Sequence, residues 1–288
     1  MIYCDLHMHS TASDGTVSPG DLAALARAAG LGAIALTDHD TTDGLPACAE
    51  ACQRESIAFV PGIEVSADPG LDGDDRSRKG TLHILGLFVR YDDPWLAKIC
   101  HRMCTARNSR NPAIVEKLRG LGVDIEYEQV LELARRLDTQ VIGRPHIAQV
   151  LVERGQARDM TDAFDRYLRQ GAAAYVRRDR LAAVDAIGAI HHAGGLAILA
   201  HPVQLGIRDP QQFEMFVLRL VELGLDGLET LHSDHTPNDV QRFEAIAARN
   251  KMLSSGGSDF HGLRKDVCLN GQRVPIDVYH RLRDAYTT

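Results

Sequence analysis

The run DLHMHSTASDG, Asp5 to Gly15, sets two imidazoles two residues apart and follows them with a carboxylate. Side chains alternate along an extended strand, so His7 and His9 point the same way. Two imidazoles on one face can grip one metal ion, and Asp14 can add an oxygen ligand. The same residue types recur in LTDHD (Asp38, His39, Asp40), GIE (Glu64), TLHILGLFV (His83), AHP (His201) and GSDFH (Asp259, His261). Each has an ordinary alternative when taken alone: a satisfied core histidine, or an aspartate capping a turn. Glu64 is harder to set aside, because it follows the apolar run Pro61-Gly62-Ile63 and would be a buried charge unless paired or metal-bound. A set of His, Asp and Glu without Cys suits Mn²⁺, Fe²⁺ or Zn²⁺ in an open site and argues against a closed structural zinc. Clustered divalent ions clamp a phosphoryl group and activate a bridging water.

Such residues need a scaffold that brings them to one place. Most of them end short apolar runs: Met1–Leu6, Leu31–Asp40, Ile57–Ser66, Gly195–Pro202, Leu225–Ser233 and Met252–His261. Helical patterns lie between, among them SPGDLAALARAAG, with Ser18 before Pro19 and a stop at Gly30. Alternating strands and helices predict a mostly parallel sheet. Chemistry at the C-terminal ends of many strands is the habit of a (β/α) barrel. His83 breaks the habit by standing near the start of its strand. If it faces the same mouth, that strand runs antiparallel, as one arm of a hairpin with the Glu64 strand. The joining loop DPGLDGDDRSRKG is polar and glycine-rich.

From Asp93 to about Arg180 the pattern is helical instead and interrupts the alternation. The expected division is a barrel domain of residues 1–92 and 181–288 and a helical insertion of residues 93–180, read as a substrate cap. The insertion carries Arg102, Arg107, Asn108, Arg110, Asn111, Arg144, Arg177 and Arg178. Asp38, Asp40 and Asp5 are expected to orient ligand histidines or cap turns. His191 and His192 read as helix-end residues, His232 and His235 as neighbours of the mouth, and Trp95 as packing for the cap.

Bulk properties exclude several classes. The 288 residues are 44% hydrophobic and 25% charged, with a net charge of −7. A long nucleic-acid duplex would call for a basic protein, so duplex DNA is an unexpected partner. A small phosphorylated ligand is not excluded, since metal ions can supply the positive charge. The six cysteines form no C-x-x-C pair, and their spacing fits buried thiols better than disulfides or a zinc knuckle. No apolar run reaches the ~18 residues of a membrane span, and no signal peptide precedes Asp5. A membrane partner is not expected, and a reducing cytoplasm is the expected location.

DLHMHSTASDG, LTDHD, GIE, a lone His in an apolar strand, AHP and GSDFH, in this order, resemble the PHP (polymerase and histidinol phosphatase) family of metal-dependent phosphoesterases. The resemblance implies a distorted (β/α)₇ TIM-like barrel with two to three divalent ions, Mn²⁺ first and Zn or Fe as alternatives. It implies His7, His9, Glu64 and Asp259 as ligands of one ion. Asp14, His39 and His261 would hold a second, and Glu64, His83 and His201 a third. Glu64, His201, Asp259 and His261 would also be catalytic. TARN and GRPHIA are similar to the nucleoside 3′,5′-bisphosphate phosphatase branch, whose relatives also trim short RNA. The implied activity is removal of the 3′-phosphate from a nucleoside 3′,5′-bisphosphate by a metal-bridging hydroxide. Arg107, Asn108, Arg144 and Arg178 are the expected contacts of the second phosphate. The alternatives are a histidinol-phosphate phosphatase, a 5′→3′ exonuclease on short RNA and a non-catalytic metal-binding domain.

Overall fold

The computed structural model describes residues 2–70, 80–139, 141–178 and 180–287. In chain order the barrel half opens with β1 (Tyr3–Asp5), α1 (Pro19–Ala28), β2 (Leu31–Leu36), α2 (Leu45–Glu55), β3 (Ala58–Ala67) and β4 (Leu82–Leu87). A helical stretch follows: α3 (Pro94–Gly120), α4 (Tyr127–Leu137), α5 (Arg144–Glu153) and α6 (Met160–Ala163), the last continued by a π-helical turn, Phe164–Leu168. The barrel resumes with α7 (Ala183–His192), β5 (Leu196–Leu199), α8 (Pro210–Glu222), β6 (Gly227–His232), α9 (Pro237–Arg249), β7 (Leu253–Gly257), β8 (Val274–Pro275) and α10 (Ile276–Tyr286).

The strands follow one another around a ring in the order β1 to β7. The ring closes where Leu6 N donates to Gly256 O at 3.1 Å and Asp259 N donates to His7 O at 2.8 Å. Closure needs β7 against the β1 backbone. A Cβ on Gly257 would fall 2.5 Å from His7 N, so glycine is required by that close approach. The two-residue β8 pairs antiparallel with β1 outside the ring. This is the expected distorted (β/α)₇ barrel. β4 is antiparallel to both β3 and β5, whereas the other ring pairs within named strands are parallel. His83 therefore reaches the mouth from the start of its strand, as its position predicts. The polar loop expected between β3 and β4 lies, from residue 71 to 79, outside the described residues.

Apolar side chains sort into an inner and an outer barrel core. Leu6, Val60, Leu85, Leu87 and Ile198 fill the interior below the mouth. Leu22, Ile34, Ile84, Ile187, Phe213 and Phe243 pack strands against the outer helices. The helical stretch has a separate core of Ile114, Val115, Leu118, Leu133, Ile147 and Leu151. α3 serves both: its Leu96, Ile99 and Met103 join the barrel core, and its later turns join the second one. Asp93 caps this helix by accepting from Trp95 N and Leu96 N, both at 3.0 Å. Trp95 is 49% exposed and lies beside His192, so it packs no part of the helical stretch's core. Among the described residues no helix is long and apolar enough to cross a membrane.

Candidate active site

The parallel strands β1, β2, β3, β5 and β7 and the start of β4 bring all nine predicted ligand residues to one mouth. Glu64 lies at the centre, fully buried. Its Oε1 is 2.6 Å from His83 Nδ1 and 2.8 Å from His201 Nε2. Its Oε2 is 2.9 Å from His39 Nδ1, 3.1 Å from His9 Nε2 and 3.4 Å from His7 Nε2. Asp259 Oδ1 faces His9 Nε2 at 3.2 Å and His7 Nε2 at 3.5 Å. Asp14 Oδ1 is 3.3 Å from His261 Nε2 and 3.8 Å from His9 Nδ1. His201 (φ 26°) and Asp259 (φ 56°) occupy left-handed backbone that non-glycine residues seldom adopt. Strain of this kind, about 1–3 kcal/mol per residue, concentrates at functional positions.

Among the described residues five ligand-type groups emerge, with donor atoms within 4.8 Å of one another: His9, Asp14, His39 and His261; His7, His9 and Asp259; His7, Glu229 and His232; His7, Glu64 and His201; and His39, Glu64 and His83. The donor set fits divalent metal. His7 Nε2, His9 Nε2, His39 Nδ1, Glu64 Oε2 and His201 Nδ1 are buried yet make no hydrogen bond among the described residues. An orphaned buried polar atom costs about 1–3 kcal/mol, so such a cluster calls for a common partner. Electrostatics agree. Burial would raise the carboxyls of Glu64, Asp14 and Asp259, but the surrounding histidines, with Lys265 for Asp259, hold all three well below the usual carboxylate range. Burial pushes the His83 imidazole down to about 3, so it stays neutral, the form that ligates. Burial opposes protonation of His7 too, yet Glu229, Asp259 and Glu64 raise it well above its ordinary value.

Supporting contacts differ from expectation. Asp38, Asp40 and Asp5 touch no ring nitrogen of the predicted ligand histidines. Asp38 accepts from Ser10 N, Ser10 Oγ and Ser13 Oγ at 2.5–2.8 Å, and so folds the loop that carries Asp14. Asp5 Oδ1 accepts from Ser258 N at 2.8 Å and ties β1 to the end of β7. The residue that orients a histidine is Glu229 on β6: its Oε1 is 3.2 Å from His7 Nδ1, and its Oε2 accepts from His201 N at 2.7 Å. Carboxylates behind metal-site histidines set tautomer and ring direction. Glu229 closes the apolar run LDGLETLHS, but the sequence alone gives it no ligand or orienting role. His232 is buried, with Nε2 3.5 Å from Asp259 Oδ2. His191 and His192 sit at the end of α7, paired with Asp226 and Asp93.

A cavity of about 380 Å³ opens over the cluster, lined by Asp14, His39, Glu64, His83, His201, Asp259 and His261. Its opposite wall comes from the helical stretch: Pro145, Met160, Thr161, Phe164 and Asp165. None of the four predicted second-phosphate residues is among the lining residues of this cavity. Arg107 and Arg178 both bind Asp40, at 2.6 and 3.2 Å. Arg144 donates to Leu168 O at 3.0 Å and stacks on Phe164 and Tyr175. Asn108 turns its amide to Cys104 Sγ and lines a different hollow with Leu131, Arg135 and Asp138, so it is not brought to the cluster. Arg110 joins the group instead. It is 8% exposed, and its one hydrogen bond among the described residues goes to Asn111 Oδ1 at 3.4 Å. Its Nε has no partner among the described residues. Burial and the repulsion of Arg107, Arg144 and Arg178 pull its guanidinium down to about 8.

A closed α/β ring with a histidine–carboxylate cluster at its mouth and an anion-sized cavity above defines the class: a metal-dependent phosphoesterase. The chain belongs to the PHP domain family, whose sequence model matches residues 5–176. It is 33% identical over 261 residues to the 3′,5′-nucleoside bisphosphate phosphatase of Chromobacterium violaceum, covering 91% of this chain and 88% of that protein. The 5′-3′ exoribonuclease Rnm of Salmonella typhimurium is 32% identical over 259 residues, 89% of this chain and 84% of its own length. The phosphoribosyl 1,2-cyclic phosphate 1,2-diphosphodiesterase of Eggerthella lenta is 35% identical over 272 residues, 94% and 98% of the two chains. Among solved structures, an amidohydrolase from Chromobacterium violaceum with bound SO4 and no metal superimposes with a TM-score of 0.85 at 32% identity, covering 98% of this chain and 96% of that one.

Proposed function

We propose that the chain removes the 3′-phosphate from nucleoside 3′,5′-bisphosphates, with two to three divalent ions, Mn²⁺ first among them, and with residues 93–180 as the substrate cap. The observation that carries this reading is the pairing of two anion-attracting clusters. One is the histidine–carboxylate mouth. The other is the group of Arg107 and Arg110, buried, with Arg144 and Arg178, half-buried, whose only carboxylate among the described residues is Asp40. The two are linked directly, since Asp40 follows His39 and Arg144 precedes Pro145 of the cavity wall. A substrate with two phosphates satisfies both, and Phe164, Met160 and Pro145 offer an apolar wall for the nucleoside between them.

Bound at the nine ligand positions, divalent ions would supply an activated water and neutralise phosphoryl charge. The chain's own residues do the rest. Glu64 and Asp259 keep their carboxylates ionised, so they can hold cations at neutral pH. Glu229 fixes the His7 ring and the His201 backbone. The arginines hold the distal phosphate through charge-assisted hydrogen bonds, and a bound anion relieves the uncompensated charge of Arg110.

The name of the Salmonella relative supports a second reading, a 5′→3′ exonuclease on short RNA. The two share geometry: a 5′-phosphorylated RNA end also carries a 5′-phosphate and a reacting 3′-phosphorus on one nucleotide. The test is product release from adenosine 3′,5′-bisphosphate, histidinol phosphate and a short 5′-phosphorylated RNA, each with and without chelator. The bisphosphate should be the best of the three substrates, and chelation should abolish turnover. A preference for histidinol phosphate, or activity that survives chelation with no ion retained, overturns the reading. Arg110→Met sharpens it. A charge-assisted hydrogen bond is worth roughly 1.5–3 kcal/mol, so kcat/KM on the bisphosphate should fall about 10- to 150-fold while a nucleoside 3′-monophosphate is unaffected. Equal losses on both substrates would remove the arginine cluster from substrate recognition.

A further inference from the structure

Among the described lining residues of the cavity, two are cationic side chains, Arg264 and Lys265. Arg264 is spent on structure: it donates to Asp14 O at 2.7 Å and to Gln149 Oε1 at 2.6 Å, tying the β7 loop to α5. Lys265 is not spent. Its ammonium binds Asp259 Oδ2, its one hydrogen-bond partner among the described residues, and two of its three donors stay available. The two oxygens of Asp259 thus face opposite ways, Oδ1 to His7 and His9 and Oδ2 to Lys265. Arg264 reaches the helical stretch while Lys265 touches the floor. Residue 265 therefore stands where the floor meets the wall.

We propose that Lys265 is a catalytic residue that donates a hydrogen bond to the leaving oxygen of the phosphoester. The inference rests on the phosphoester-hydrolase reading above. With phosphorus over the histidine–carboxylate floor and the organic half against Pro145, Met160 and Phe164, the ester oxygen lies at that junction. The histidines nearby are engaged: His83 and His201 point nitrogens at Glu64, and His261 Nδ1 is 2.8 Å from Asp259 O. In the step, water oxygen forms the new bond to phosphorus. The bond from phosphorus to the ester oxygen breaks, and its electron pair departs with that oxygen. The proton lost by the water is balanced by the proton the departing oxygen takes up from solvent. Lys265 stays charged throughout and offsets the negative charge building on the leaving oxygen, as a preorganised donor does.

The test compares Lys265→Met with wild type on two substrates, a nucleoside bisphosphate and p-nitrophenyl phosphate. Losing one such donor costs about 10²-fold in kcat where the departing alkoxide is basic. Nitrophenolate leaves without help, so the second substrate should lose less than about 5-fold. Metal content by elemental analysis should match wild type, and Lys265→Arg should recover much of the lost rate. Comparing two substrates in one preparation separates the effect from poor folding. Equal losses on both substrates, or ions lost together with activity, would make Lys265 only the partner that positions Asp259; no loss on either would leave it without a role. If wild type releases phosphate from neither substrate, the failure belongs to the phosphoester reading instead.

Discussion

Glu64→Gln should leave purified protein with at least one divalent ion fewer per chain and cut phosphate release by at least about 10³-fold. Outer-shell partners of metal sites typically cost 10- to 100-fold, and Glu64 is closer in than those. Its two oxygens meet five histidines at 2.6–3.4 Å, so it stands between the groups that would hold separate ions. Glutamine keeps the size but replaces one acceptor with an N–H pair and removes the charge. Five imidazoles would then face a neutral amide in a buried space, and ion binding would have to be achieved without the central anion. Elemental analysis beside a phosphate-release assay checks this. Full ion content with turnover within tenfold of wild type would show that the centre does not depend on Glu64. The fold should survive, because among the described residues Glu64 pairs with these histidines and no other side chain.

Asp40→Asn should destabilise the protein by about 3–5 kcal/mol, the usual cost of removing one partner from a buried ion pair. Asp40 is 1% exposed; it binds Arg107 and Arg178 and accepts from Ser66 N at 2.8 Å. It therefore joins four segments: the β2 loop, β3, α3 and the chain returning from the helical stretch. Asparagine leaves both guanidinium groups buried without a counter-charge. At roughly 2–4 °C per kcal/mol for a chain of 150–250 residues, Tm should fall by on the order of 10 °C. The sign with pH follows from the carboxyl itself. Burial would raise it, but the two arginines hold it well below the usual carboxylate range. Its contribution is complete above the unfolded value of about 3.9 and fades only as pH falls toward the folded one. The deficit of the variant should thus be constant from pH 5 to 8. Thermal unfolding checks both statements, and an unchanged Tm would show that the arginines find other partners.

How much of this could be read from sequence depends on where each partner lies. His7 with His9 and Asp259 with His261 were legible because alternation along a strand is local. His83 was legible only through the family motif of a lone histidine in an apolar strand, and its odd place in that strand predicted that β4 runs backwards. The ring and its order followed from strand–helix alternation. Glu229 was not legible: its partner His7 is 222 residues away, and only the closing of the ring joins them. Asp38 looked like a histidine-orienting residue because it precedes His39, but a side chain next in sequence on a strand points to the other face. Arg110 was one of several helix arginines until packing decided which had a carboxylate. Asn108, two residues earlier on α3, points elsewhere, since residues two apart on a helix do not share a face. Lys265 gains its meaning from the orientation of one carboxylate.

The reversed course of β4 has a consequence for how such a molecule can be altered. A strand that starts at the mouth ends at the far side, where Arg90 meets Ala193 and His192 at the close of α7. The chain must climb back before it can contribute to the mouth. The 27 residues of α3 do this, spanning about 40 Å at 1.5 Å per residue. Arg107 meets Asp40 roughly 20 Å along that climb. The return costs nothing comparable, since Leu181 bridges Ala67 already at the mouth. The helical segment is thus an asymmetric cassette, entered through a long stem and left through a short one. Grafting it onto another barrel requires the stem from its foot, near residue 90. A graft begun at the mouth would leave Leu96, Ile99 and Met103 behind and deliver the guanidinium groups with nothing to fix their height.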